Sequence, residues 1–199
     1  MKILAATKNK KKLEEIKRIL EPMGIDVISE LDLERPLEEV EETGTTFEEN
    51  AYIKAKSGLE QTGFITIADD SGLCVDFLGG KPGVYSARYS GVHGNDQKNI
   101  DKLLNELKDV KKEDRKAKFV CSIVCLFPSG NKITAKGECP GYIGFEPVGK
   151  GGFGYDPVFI SKKGCFAEIS AEEKDMISHR GIALKKFEEK IKKYFSEEK

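Results

Sequence analysis

No apolar run in the 199-residue sequence approaches the roughly 20 residues that a bilayer-spanning helix requires, so no membrane span is expected. Met1 to Ala6 leads straight into a strand-like pattern without a secretory h-region or cleavage site, and a cytoplasmic protein is the expectation. Charge of one dominant sign is also missing. Lys and Arg number 33 against 34 Asp and Glu, which leaves no global basic field to recruit nucleic acid. Anion binding must then come from local clusters. The five cysteines contain no Cys-x-x-Cys and only two histidines accompany them, so a structural zinc site is not expected. Cys121 and Cys125 lie in the apolar run Phe119 to Phe127 and read as buried thiols. No Walker A sequence, internal repeat or interdomain linker occurs. The length suits one compact domain, or two lobes sharing a cleft; without a linker, residues 1–199 are read as a single α/β domain.

What is present alternates strand and helix signals. Ile3 to Thr7 reads as a buried strand, and Leu13, Ile16, Leu20 and Met23 then recur at helical spacing between Asn9 and Gly24. Asp26 to Ser29 is a second strand. Thr45 and Thr46, with Glu48 and Glu49 three residues on, have capping-box spacing and open a helix that Gly63 closes. Ile65 to Ala68 reads as a short strand stopping at Asp69-Asp70-Ser71-Gly72. The glycine-rich stretch from Leu78 to Gly94 reads as a long functional loop. A helix is expected near Asp96 to Leu107, a hairpin from Ala117–Phe127 and Lys132–Glu138 around Pro128-Ser129-Gly130, a strand at Val158 to Ser161, and an amphipathic C-terminal helix carrying Leu184, Phe187, Ile191 and Phe195. Interleaved strands and helices with one long hairpin give an α/β fold with a mixed sheet.

Two helices open with cations, where the helix dipole disfavours them. The first begins Asn9-Lys10-Lys11-Lys12 directly after a buried strand, and the last begins Ser178-His179-Arg180 with Ser178 as expected N-cap. Amide donors, dipole and cationic side chains together suit a multiply charged anion such as a polyphosphate. A solvated lysine run accounts for Lys10 to Lys12 alone, but less well for two such helices. Asp69-Asp70, read as a sharply turned pair at a strand end, and Glu42 before a helix suit a magnesium ion, which prefers one or two carboxylates, waters and substrate phosphates. Ordinary turn chemistry is the alternative for the aspartates. Gly149-Lys150-Gly151-Gly152-Phe153-Gly154 formally matches G-x-G-x-x-G, yet Pro157 and a β-type run follow it, which excludes the dinucleotide-binding reading. The segment reads instead as a turn presenting Phe153 and Tyr155, beside Asp156, for stacking on a base.

In order along the chain, Thr7-Lys8-Asn9-Lys10-Lys11-Lys12, Glu41-Glu42-Thr43-Gly44, Phe47-Glu48-Glu49-Asn50-Ala51, Ala68-Asp69-Asp70-Ser71-Gly72-Leu73, Pro82 to Arg88, Gly152-Phe153-Gly154-Tyr155-Asp156-Pro157 and Ser178-His179-Arg180-Gly181 resemble the motifs of the inosine triphosphate pyrophosphatases, also called XTP/dITP diphosphatases. The resemblance spans nearly the whole chain. It implies a homodimer of α/β subunits, each a mixed sheet flanked by helices with two lobes around a central substrate cleft. It further implies magnesium-dependent hydrolysis of aberrant purine nucleoside triphosphates to monophosphate and pyrophosphate. The implied roles are triphosphate binding by residues 7–12 (Thr7, Lys8, Asn9, Lys10, Lys11 and Lys12, with Thr7, Asn9 and Lys12 foremost) and by Lys54, and magnesium binding by Glu42 and Asp70. Asp70 would also accept the proton and Ser71 would contact substrate. Phe153, Gly154, Tyr155, Asp156, Lys174, His179 and Arg180 would bind the purine nucleotide. Lys8 stands where the family commonly has Gly, and Asp175 where Asn often follows the Glu-Lys pair; neither removes a group the chemistry needs. The competing readings are a pyrophosphatase of different base preference, such as a Maf-like enzyme, and a non-catalytic nucleotide sensor; a nucleic-acid-binding module is the most distant.

Overall fold

The structure, a computed structural model, describes residues 1–197. Among them seven strands form one mixed sheet in the order β2-β1-β3-β4-β5-β6-β7. The strands are β1 (Lys2–Ala5), β2 (Asp26–Ser29), β3 (Thr66–Val75), β4 (Lys116–Leu126), β5 (Lys132–Ile143), β6 (Phe159–Ser161) and β7 (Gly164–Cys165). The helices are α1 (Lys10–Leu20), α2 (Phe47–Thr62), α3 (Asp96–Glu106), α4 (Ala171–Ile177) and α5 (His179–Glu197). β1 runs parallel to both β2 and β3, pairing Ile3 with Val27 and Ala5 with Ile67. β6 runs antiparallel to β5 and β7.

The chain folds into two compact units, neither continuous in sequence. The first comprises Met1–Asp70, Cys121–Gly137 and the chain from Arg180 onward; the second comprises Ser71–Val120 and Glu138–His179.

The first unit is built on the two-residue period of its strands. Ile3, Ala5, Ile67, Cys121, Ile123 and Cys125 pack with Ile16 and Leu20 of α1 and Leu184, Phe187 and Ile191 of α5. The alternate residues Ala68, Val124 and Leu126 pack with Ala51 and Ala55 of α2. The helices therefore cover opposite faces, because successive strand side chains point to opposite sides. α2 approaches closely through small residues: a Cβ on Gly58 would lie 2.8 Å from Thr66 Cγ2. In the second unit, Ile100, Leu103 and Leu107 of the α3 region pack with Leu73, Val75, Phe119, Ile143, Phe159 and Phe166.

Local capping chemistry sets the helix boundaries. Asn9 accepts from the amides of Lys11 and Lys12, while Thr46 and Glu49 form a complete capping box and Gly63 is the C-cap. Cys121 and Cys125 are buried, as expected. Three expectations are corrected. The strand expected to end at Ala68 continues through Asp69-Asp70-Ser71-Gly72 to Val75, because strand pairing overrides the turn preference of those residues. β5 extends past Glu138 through Pro140 and Gly141 to Ile143. The helix α4, opened by its own Ser170–Glu173 capping box, was not expected.

Candidate active site

The extension of β3 changes what its aspartates do. Instead of turning together at a strand end, Asp69 and Asp70 occupy adjacent strand positions and take opposite faces. Asp69 joins the face of α1 and α5; Asp70 joins the face of α2.

On the α1 and α5 face, Asp69 Oδ2 lies 3.2 Å from Lys12 Nζ. It also accepts from Arg180 Nε at 3.2 Å and Nη2 at 3.0 Å. Arg180 Nη1 donates to Glu15 of α1, and the Cys121 thiol lies 3.8 Å from the same aspartate oxygen. Glu15 is three residues from Lys12, hence on the same side of α1. Burial opposes ionisation of Asp69, but Lys12, Arg180 and Lys54 outweigh it and hold the carboxyl well below the usual range. The expectation of cations opening two helices holds, and the structure supplies a physical reason: internal carboxylates face Lys12 and Arg180. Lys10 and Lys11 are exposed, and Lys8 pairs with Glu39 at 2.7 Å on the surface. Thr7 Oγ1 accepts from the Asn9 amide, which fixes the turn entering α1.

On the α2 face, Lys54 Nζ sits between Glu42 Oε1 at 2.8 Å and Asp70 Oδ1 at 3.5 Å. The buried Asn50 donates to Asp70 Oδ2 at 3.2 Å and accepts from the Gly44 amide at 2.8 Å. Asn50 thus ties the Glu42 segment to the Asp70 carboxylate. Burial raises the Asp70 pKa above its ordinary value; Lys54 and Lys12 counter this and Glu42 reinforces it. Lys54 keeps its proton because Asp70, Asp69 and Glu42 outweigh its own burial. Here two carboxylates face one ammonium, so the cluster carries surplus negative charge. A hard divalent cation suits that surplus, and the ammonium already occupies a cation's place between the two carboxylates. No group of three or more His, Cys, Asp or Glu side chains with metal-holding geometry occurs among the described residues. Glu42 and Asp70 are the side chains that could hold such a cation, water and phosphate supplying the rest of its shell.

The second unit gathers another set. Lys174 Nζ lies 2.6 Å from Asp156 Oδ2, both groups being buried, and 4.9 Å from the centre of the Phe153 ring. The Phe153 amide also donates to Asp156 Oδ2 at 2.9 Å. Gly154 N donates to Asp96 Oδ2 at 2.8 Å, so the first turn of α3 anchors the glycine turn. His179 stacks on Phe119, with ring centroids 4.6 Å apart. Phe153 is half-buried, but Tyr155 is 3% exposed and its hydroxyl donates to Ser86 O. The expectation of two presented rings is corrected: Tyr155 belongs to the core, with its polar end satisfied internally, as buried tyrosines require. Ser178 is extended between α4 and α5. Ser71 stands in β3, half-buried.

Gly152 allows the turn to close on Asp156. Its φ is +72°, and a Cβ there would lie 2.0 Å from Asp156 Oδ2. Gly152→Ala is expected to destabilise the protein by more than the about 1–2 kcal/mol that a left-handed backbone alone costs an L-residue, since Asp156 must also move. A denaturant midpoint equal to that of the parent protein would contradict this.

Sequence reasoning missed Glu15, Asn50 and Asp96 as site-shaping residues. Glu15 gave a local signal in its spacing from Lys12, and Asn50 stood within the Phe47-to-Ala51 motif. It also weighed Asp69 only as half of a turned pair.

Comparison with known proteins gives a consistent picture. The sequence model of the Ham1 family matches residues 3–190. A dITP/XTP pyrophosphatase of Bacillus licheniformis is 54% identical over 186 residues, covering 92% of this chain and 94% of that protein. A solved HAM1 protein structure from Coxiella burnetii superposes with a TM-score of 0.86 at 38% identity, covering 97% of this chain and 99% of that one. The Ham1 protein of Staphylococcus aureus gives a TM-score of 0.84 at 40% identity, with 100% of both chains covered.

Proposed function

Because this chain belongs to the Ham1 family, we propose that it hydrolyses non-canonical purine nucleoside triphosphates, dITP, ITP and XTP, to the monophosphate and pyrophosphate, clearing them from the nucleotide pool. The observation that carries the reading is the pairing of Glu42 and Asp70 across Lys54. Lys12 acts electrostatically on Asp70, and Lys54 on Asp69, so the cationic turn and the carboxylate pair influence one another. A triphosphate and a cation are the ligands such a set accommodates.

In this reading the turn from Thr7 to Lys12, together with Lys54, binds the triphosphate. Asp70 orients the attacking water and accepts its proton, a role that a burial-raised pKa favours. The water oxygen bonds to the α-phosphorus as the α–β bridging bond breaks, and pyrophosphate leaves. Magnesium, held by Glu42 and Asp70, would supply neutralisation of phosphate charge. Phe153, Asp156, Lys174 and His179 receive the purine. The reading includes a homodimeric enzyme acting in the cytoplasm. No helix among the described residues is long and apolar enough to cross a membrane.

The test is product identification. ITP with the protein and magnesium is expected to give IMP and pyrophosphate, and omission of magnesium is expected to abolish turnover. IDP with orthophosphate as first products would overturn the α–β assignment. Undiminished turnover in a chelator would remove magnesium from the scheme.

A further inference from the structure

We propose that Asp69 is a counter-ion that limits polyphosphate affinity, competing with the substrate for Lys12 so that pyrophosphate can leave. The inference rests on the proposed pyrophosphatase reading and adds a role for a residue outside the triphosphate, metal and base sets.

The charge balance of the buried cluster is its basis. Lys12 and Arg180 both pair with Asp69, and Arg180 also pairs with Glu15. At rest, Lys12 therefore offers little unopposed charge to an incoming anion, although its side chain is 16% exposed and accessible from solvent. A triphosphate that draws Lys12 away takes from Asp69 one of the two cations paired with it, Arg180 remaining. The loss falls on a carboxylate only 1% exposed and opposes the drawn-away state, because weakening the pairing of a buried charge is costly. The exchange is feasible because Arg180, fixed by both carboxylates, stays with Asp69 when Lys12 departs.

The hydrogen-bond geometry fits an exchangeable contact. Both Arg180 nitrogens, Lys12 and the Cys121 thiol converge on Oδ2, whereas Oδ1 has no hydrogen-bond partner among the described residues. A carboxylate serving only as a structural lock would be expected to use both oxygens in a parallel bidentate pair. Here Lys12 is a third claimant on a single oxygen, and the one with access to solvent.

The experiment is titration of full-length protein with inorganic pyrophosphate at fixed magnesium, alongside ITP kinetics. Asp69→Asn preserves shape and removes the charge. It is expected to bind pyrophosphate roughly tenfold more tightly, as follows from deleting a unit charge next to the lysine that holds the ligand. KM and kcat for ITP should fall together as product release slows. The double variant Asp69→Asn/Lys12→Met should lose the gain, giving strong non-additivity. If Asp69→Asn does not fold, Glu15→Gln removes the cluster's other negative charge and should tighten pyrophosphate severalfold. Unchanged or weaker pyrophosphate binding in a folded variant, with only a lowered Tm, would overturn the inference and leave Asp69 a structural lock. Tightened pyrophosphate binding in a protein that does not hydrolyse ITP would instead overturn the enzymatic reading and leave the counter-ion role standing.

Discussion

Asp70→Asn is expected to keep the fold and lose roughly 10²–10⁴-fold of turnover, the usual contribution of a positioned general base. The amide neither accepts a proton from water nor binds a cation as a carboxylate does. The fold should survive because the partners of Asp70 are the polar side chains of Asn50 and Lys54 rather than the apolar core. Relief of burial strain on a carboxyl whose pKa is raised should leave stability equal or slightly improved near neutral pH. Paired measurements of kcat at saturating magnesium and of the denaturation midpoint test both parts. Near-parental turnover would show Asp70 to be a structural strand residue.

A second large effect is expected in base choice. Hypoxanthine and xanthine present an acceptor oxygen at C6 and a hydrogen on N1, whereas adenine presents an amine donor and a bare N1. In the second unit Lys174 is a donor beside Phe153, and Asp156 is an acceptor held by the Phe153 amide and Lys174. A donor and an acceptor, both built into a buried pair, suit the oxygen and the N1 hydrogen and oppose adenine. Sites that read a substrate through specific hydrogen bonds discriminate by roughly 10⁴-fold when those bonds are left unmade. The expected order of kcat/KM is ITP and XTP, then GTP, then ATP. Guanine shares the C6 oxygen and the N1 hydrogen and differs from hypoxanthine only in its 2-amino group, so GTP is expected to rank between ITP and ATP. A nucleotide panel in which ATP is hydrolysed as efficiently as ITP would defeat this account of the pocket.

The elements legible in the sequence were those closed by their own neighbours. Asn9, the Thr46–Glu49 box and Gly63 end helices through contacts within a few residues, so spacing alone located them. β3 was truncated because Asp-Asp-Ser-Gly has turn chemistry when read locally, and only pairing within the sheet makes it a strand. Tyr155 was misplaced for a related reason: its partner, Ser86 O, lies 69 residues away. The members of the candidate site were legible through ordered motifs, but their ionic partners were not. Arg180 and Glu15 are 165 residues apart, and no periodicity reports such a pairing. The missed α4 is different, since its Ser170-x-x-Glu173 signal was local and readable.

The alternation along β3 makes the chain vulnerable in a way that residue identity does not reveal. Ala68, Asp69 and Asp70 are assigned to their faces by parity: even positions look toward α2, odd ones toward α1 and α5. Substituting one aspartate leaves the other on its own face, but inserting or deleting a single codon just before Asp69 moves both to the opposite face. An insertion would put Asp69 in the place of Asp70 and carry Asp70 one position further along the strand; a deletion would put Asp70 in the place of Asp69, beside Arg180, and move Asp69 one position back. The gene segment encoding this strand should therefore accept point changes far more readily than any change of length.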